Sequence, residues 1–353
     1  MSSPRYPKLQ QAACLSSLSN LLFKAKRPLS ELQSILSEGT RKILGDERVW
    51  GLIGHWEIVW GPVVHSVKAN PEKGGVKQIP DNVCFVVRTT QFGITSYLIA
   101  IAGTNSKSLR EDICNQDLRV RPCNMVEWST ITGASIPTGK IALGTRLGLA
   151  SVLEKLIDPE KGSLKQWLTS YEFERDAELM TAGHSLGAAL SVVLAVWLSD
   201  CRKTWGGKEV TISTYPTAGP TVGDHLFSTH AMESLQGMFF GRYNTLDAVP
   251  RAWDRIDTVK SLYEPYGLKP KLPIKVGIKT LTRLVGKNNP YHRCAGWTTF
   301  EGKFNPNAPG KERSPFMNQI MYQHLLAYIE PLGYLEYFKL QEQIYPRPED
   351  GRK

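Results

Sequence analysis

The sequence predicts an α/β fold, with a mostly parallel central sheet and helices on both faces. Two patterns carry that expectation. Strand-like and helix-like segments alternate from residue 84 to residue 244, the order that builds a sheet covered by helices. One apolar strand-like run, Leu179–Ala182, leads directly into Gly183-His184-Ser185-Leu186-Gly187 and then into an apolar helix-like run, Leu186–Leu198. Composition agrees: 41% of residues are hydrophobic and 22% charged, which excludes a mainly disordered or fibrous chain. The longest apolar stretch, Ala188–Leu198, is far shorter than the roughly 20 residues that span a bilayer. No transmembrane helix is therefore expected. At 353 residues the chain can bury about three quarters of its unfolded surface and needs no metal or disulfide staple.

The elements follow in order. Residues 1–50 read as a helical leader, with Leu21, Leu22, Leu29, Leu32 and Ile35 at partial helical spacing among Lys and Arg. Residues 51–66 are rich in aromatic and β-branched residues and are expected at one edge of the sheet. Cys84–Arg88 and Tyr97–Ala102 form a hairpin about a turn containing Gly93. Residues 105–140 are polar and broken by Pro122, Gly133, Pro137 and Gly139, which predicts a lid-like segment. Leu143–Leu156 and Leu164–Tyr171 have helical spacing. Val210–Tyr215 and Arg242–Asn244 read as further strands. This gives a leader and sheet-edge segment over 1–66, a main domain over 67–340 with a basic insertion at 255–315, and a tail at 341–353.

The chain has 43 basic and 33 acidic residues, a formal charge of +10. That excess favours anionic surfaces as partners. No nucleic-acid partner is expected, and no P-loop or dinucleotide fingerprint is present. The six cysteines are scattered without metal spacing, so neither a disulfide framework nor a zinc site is expected, and no cofactor is implied. The start, MSSPRYPKLQ, lacks the apolar core of a secretory signal. The expected location is the cytoplasm, or outside the cell by a non-classical route.

The G-x-S-x-G pentapeptide makes Ser185 the candidate nucleophile. A strand–turn–helix elbow lifts the serine hydroxyl above the sheet, and glycines on either side let the turn close. The helix N-terminus aims backbone N–H groups at a developing oxyanion, so the Leu186 amide is a candidate donor. A serine hydroxyl needs a base to take its proton, and in α/β-hydrolases the order is Ser, then acid, then His. Only His292 and His324 follow all four candidate acids, Asp224, Asp247, Asp254 and Asp257. Asp247 follows a strand-like run and precedes Val249-Pro250, the kind of position from which a carboxylate orients an imidazole.

TAGHSLGAALSVVLA at 181–195 resembles the nucleophile segment of the class 3, or fungal-type, lipases of the α/β-hydrolase superfamily. Four further pieces agree in order. IAIAGTNS at 99–106 is similar to the family's oxyanion strand and loop, with Ala102 where Arg is usual. TAGPTVGDHLF at 217–227 resembles its Gly-Ser-Pro-Arg-Val-Gly-Asp segment, again without the Arg. YNTLDAVPRAW at 243–253 resembles its acid strand, and YQHLLAY at 322–328 its histidine segment. The resemblance covers about residues 80–335. It implies Asp247 as acid, His324 as base, Thr104 as oxyanion residue, and a structural role for Asp224.

Residues 269–293 carry seven basic and no acidic side chains. On a helix, Ile274, Ile278, Leu281 and Val285 share one face and Lys275, Lys279, Arg283 and Lys287 the other. The pattern suits a solvated surface helix or an element that contacts a lipid surface. Together these readings imply a serine carboxylic-ester hydrolase acting on lipid esters through a Ser185–His324–Asp247 triad, with triacylglycerol as the expected substrate. The alternatives are a phospholipase, including a secreted effector, and a catalytically silent hydrolase fold used as a binding module.

Overall fold

The computed structural model describes residues 3–67, 79–105, 124–207, 209–286, 288–310 and 314–348. Seven strands form the main sheet: β1 (Glu57–Val67), β2 (Ile79–Gln91), β3 (Ile94–Ile101), then β8 (Glu178–His184), β9 (Thr211–Thr217), β10 (Gly241–Asn244) and β11 (Trp297–Phe300). Between β3 and β8 lie two small antiparallel pairs, β4 (Met125–Glu127) with β5 (Lys140–Ala142) and β6 (Ile157–Asp158) with β7 (Gly162–Ser163). The sheet order is β1-β2-β3-β8-β9-β10-β11. β1, β2 and β3 pair antiparallel, and everything from β3 to β11 runs parallel. The mostly parallel α/β sheet is thus present. Its antiparallel edge is the predicted 84–102 hairpin together with residues 57–67; of the expected 51–66 edge segment, residues 51–53 instead end a helix.

Side chains on the central strands alternate between two cores, as the two-residue strand period requires. Tyr97, Ile99 and Ile101 join one apolar cluster, with Cys84 and Val86. Leu98, Ala100 and Ala102 join the other, with Phe85 and Val87. The first cluster is covered by helices 143–150, 164–170, 186–200 and 225–234. Helix 186–200 is buried from Gly187 to Leu198. A helix apolar on all sides must lie inside the molecule, which places its N-terminus at the sheet's centre.

The second face is covered by the start of the chain. Helices α1 (Lys8–Ser19), α2 (Leu29–Leu44) and α3 (Glu47–Ile53) pack there with helix 335–344. The expected helical leader is therefore one of the two layers of the fold. Position 66 is near the end of β1, not a boundary between separately packed units. Likewise the 341–353 tail begins inside a helix, with Gln341 fully buried. The 255–315 segment holds more than the basic helix: it also supplies β11, the far edge strand. Sequence pattern missed this strand because its four residues, Trp-Thr-Thr-Phe, are too few to show a period. Of the expected lid, residues 106–123 lie outside the described residues. The remainder forms β4, β5 and one helical turn at Ser129–Thr132.

A polar tie crosses the first core below the site. Thr181 on β8 and Thr214 on β9 are both fully buried. Their hydroxyls lie 2.9 Å apart, and Thr181 donates to the Ser191 carbonyl at 2.9 Å. This chain joins two strands to the central helix. Replacing Thr181→Val keeps the shape and leaves two buried polar groups without that partner, a loss of about 1–3 kcal/mol. Urea unfolding should show the drop, and an unchanged midpoint would contradict the tie's contribution.

Candidate active site

β8 ends at His184, helix 186–200 begins at Leu186, and Ser185 alone makes the turn. Its backbone has φ 60° and ψ −123°, a region that an L residue with a Cβ occupies only when the surroundings force it. The flanking glycines show what forces it. A Cβ on Gly183 would sit 2.2 Å from the Gly187 carbonyl oxygen. One on Gly187 would sit 2.3 Å from the Ile101 carbonyl oxygen. The elbow is thus packed between its own helix and strand β3, with room for hydrogen only. The Ser185 amide donates to the Thr217 carbonyl at 3.0 Å and fixes the turn to β9.

His324 is the last residue of helix 315–324 and is 7% exposed. Its Nε2 lies 2.8 Å from Ser185 Oγ, and its Nδ1 lies 2.8 Å from Asp247 Oδ2. A carboxylate only accepts, so Nδ1 carries the proton and Nε2 is left to accept from the serine hydroxyl. Asp247, 1% exposed, follows β10. Its Oδ1 accepts from the Val249 amide at 2.9 Å, and its Oδ2 also accepts from the Tyr328 hydroxyl at 2.7 Å. Burial first, and the Asp247 charge second, push the Tyr328 hydroxyl far above its ordinary pKa. It is therefore a permanent donor to the carboxylate. Asn244 ties the end of β10 to the histidine helix, donating to the Gln323 carbonyl at 3.1 Å and side-chain oxygen at 2.6 Å.

The structure brings together Ser185, His324 and Asp247. The rivals go elsewhere. Asp224 caps helix 225–234, accepting from the Phe227 amide at 2.8 Å. Asp254 pairs with Arg293 at 3.5 Å. Asp257 falls in a short 3-10 turn, Ile256–Ser261. His292 is exposed, with its ring against His225. Thr104 follows Gly103, whose added Cβ would lie 3.4 Å from Ser185 Cβ. The loop therefore passes directly beside the serine. Leu186 stands at the first position of its helix, where an amide has no helical acceptor.

Sequence reading missed three contributors. Tyr328 lay within YQHLLAY, which was read only for its histidine. His184 occupies the variable position of the pentapeptide. Arg293, from the 255–315 segment, reaches into the 217–227 segment that lacks its usual arginine. It donates to the Gly219 carbonyl at 3.3 Å, to Thr221 Oγ1 at 3.1 Å and to the Pro250 carbonyl. No local pattern marks a residue whose partners lie more than 40 positions away.

The sheet and the strained serine elbow, followed in the chain by Asp247 and His324, define a class first: an α/β-hydrolase fold, here a carboxylic-ester hydrolase. Within that class, the model of the lipase (class 3) family matches residues 98–255. Among solved structures it is similar to M37 lipase, at 27% identity over 98% of this chain and 96% of that one, with a TM-score of 0.80. A looser likeness is to a lipase from Rhizopus microsporus var. chinensis, at 16% identity, 69% of each chain and a TM-score of 0.44. Another is to LIP2 lipase of Yarrowia lipolytica, at 12% identity, 82% and 78% coverage and a TM-score of 0.46. No curated protein sequence matches the chain. These likenesses support lipase-type ester hydrolysis.

His184 sets an acid limit on the site. Its Nε2–H donates to the His324 carbonyl at 2.7 Å, and Nδ1 lies 2.9 Å from the Thr217 hydroxyl. Burial, and then the nearby His324, hold its pKa down at about 3, against 6.5 for a free imidazole. Between those values the unfolded chain binds a proton that the folded chain does not, so stability rises with pH. This contribution is complete above pH 6.5 and is lost as pH falls toward 3. In urea titrations the wild type should therefore lose stability below that upper value with one proton more slope, roughly 1.4 kcal/mol per pH unit, than His184→Gln. Parallel curves would refute the assignment.

Proposed function

We propose that Ser185, His324 and Asp247 are the nucleophile, base and acid of a triad that hydrolyses acylglycerol esters. The observation that carries this reading is the continuous path from Ser185 Oγ through the His324 ring to Asp247, with 2.8 Å at each step. Ser185 Oγ attacks the ester carbonyl while its proton passes to His324 Nε2. The carbonyl oxygen becomes an oxyanion facing the Thr104 and Leu186 amides. His324 then protonates the leaving alcohol, and an acyl-serine remains. Water, deprotonated by His324, attacks that ester and frees the fatty acid. Asp247 keeps its charge throughout, with Val249, His324 and Tyr328 as donors.

Ser185→Ala and His324→Ala should each lower kcat on p-nitrophenyl butyrate by about 10⁴-fold or more. Asp247→Asn should cost about 10²–10⁴, because it spoils the tautomer of the base. His292→Ala should stay near wild type. Retained turnover in folded Ser185→Ala, or His292→Ala as the more damaging histidine variant, would reject the triad. A hydrolysis panel of triacylglycerol against phospholipid tests the substrate.

The phospholipid reading has its own support in helix 272–285. Ile278 and Val285 are buried, whereas Lys271, Lys275, Lys279 and Arg283 are exposed; Lys287, the fourth cation of the expected face, lies outside the described residues. None of these four has an ion-pair partner among the described residues. Leu272 and Val276 beside them are 73% and 54% exposed. The helix covers Leu246 and Ala248 on either side of Asp247, through the cluster that also holds Phe316 of the histidine helix. This mixture of cations and apolar side chains suits an anionic bilayer, where each cation contributes about 1 kcal/mol. Changing these four cations to Gln should weaken binding to anionic vesicles at low salt and slow hydrolysis there. Cleavage of p-nitrophenyl butyrate in solution should be unchanged. Equal vesicle binding by both proteins would reject the docking role.

A further inference from the structure

The family match begins at residue 98, and the first helical layer carries no hydrolase motif. That layer nevertheless grips the loop beside the nucleophile. Helix α1 runs alongside the parallel strands, from an ion pair between Lys8 and Glu178, the first residue of β8, to Asn20, its C-terminal cap. There the Asn20 side chain reaches the oxyanion loop. Its Oδ1 accepts from the Gly103 amide at 2.9 Å, and its Nδ2 donates to the Ser16 carbonyl at 2.8 Å. The orientation of the amide is thus set at both ends: a backbone N–H can only donate and a carbonyl can only accept.

The other side of the loop is held by the same segment. Asn105, 3% exposed, donates from Nδ2 to the Leu22 carbonyl at 2.7 Å and to the Ala25 carbonyl at 3.2 Å. Thr104 stands between these two anchors. Gly103 itself is pressed between layer and nucleophile: an added Cβ would be 3.4 Å from both Asn20 Oδ1 and Ser185 Cβ. A loop held on both flanks keeps its middle amide in place before the substrate arrives. Such preorganised donors stabilise an oxyanion without reorganising during the reaction.

We propose that Asn20 is a positioning residue for the oxyanion hole, and that α1 is the strut that sets the height of Thr104 above the sheet. The inference rests on the reading of Thr104 and Ser185 given above. Asn20 touches no reacting atom and acts through the Gly103–Thr104 backbone. A donor displaced this way mainly costs transition-state stabilisation, so kcat should fall while KM holds.

The test compares three variants on p-nitrophenyl butyrate, with a phenylboronic acid as the tetrahedral probe of Ser185. Asn20→Ala removes the acceptor. Asn20→Asp keeps the shape and the acceptor but loses the donor to Ser16 and adds a negative charge near the oxyanion. Leu36→Val thins α2 within the same helical layer without touching the loop, and serves as the stability control. Asn20→Ala should lower kcat by about 10- to 100-fold, somewhat less than the roughly 10²–10³ lost when a donor is deleted outright. KM should stay within about twofold, and boronate affinity should weaken in step with kcat/KM. Asn20→Asp should show the same split, which covers the case in which the alanine variant does not fold. Leu36→Val should lower Tm and leave kcat near wild type.

The proposal is overturned if either Asn20 variant folds and keeps its kcat, if the loss falls on KM alone, or if Leu36→Val loses as much kcat at an equal drop in Tm. Boronate binding to Ser185→Ala as tight as to wild type would instead remove the nucleophile reading, and this inference with it.

Discussion

Everything at this site hangs on a turn that leaves no room for side chains. Ser185 occupies a backbone conformation that costs on the order of 1–3 kcal/mol, and it persists because β8 and the buried helix 186–200 are each locked in the core. The helix must enter within van der Waals reach of the Ile101 carbonyl, which requires Gly187. The strand must pass beneath the helix's first turn, which requires Gly183. The motif records this packing constraint. It exposes the hydroxyl on the outer side of the turn because every other direction is filled.

The second constraint is a buried negative charge. A carboxylate taken from water is costly unless it is fully hydrogen-bonded. Asp247 meets the requirement with one backbone amide, one phenol and one imidazole. Tyr328 is in turn fixed by the Asn244 amide at 3.0 Å, and it packs in a cluster with Ala13 of α1. Asp247 is therefore supported by the same N-terminal helix that reaches the loop at Gly103. Layers distant in sequence converge on one site because the parallel sheet directs all its strand ends to one edge.

Much of this was legible in the sequence, for a physical reason. The elbow, the acid strand and the histidine segment are local patterns in which steric demand and chemistry fall within a few residues. Ser185, Asp247 and His324 could be named from chain order and segment likeness alone. The hairpin, the strands before and after the elbow and the basic helix were also visible, since each shows its own period. The rest depends on partners far away. Asn20 acts across 83 residues and Tyr328 across 81, and neither has a neighbour in sequence that reveals its partner. β11 escaped because four residues carry no periodicity. The leader's helical spacing was visible, but its apolar positions do not state which face of which sheet they will cover.

The histidine that faces Ser185 comes 139 residues after it in the chain. On a ribosome adding about 5–20 residues per second, the elbow exists for roughly 7–28 s before His324 has been made. On the proposed mechanism the emerging polypeptide is therefore harmless to the lipids around it during synthesis. Competence arrives only when the C-terminal helices dock on a sheet that is already built. The appearance of ester cleavage would then report the final docking step of folding, with the enzyme serving as its own clock.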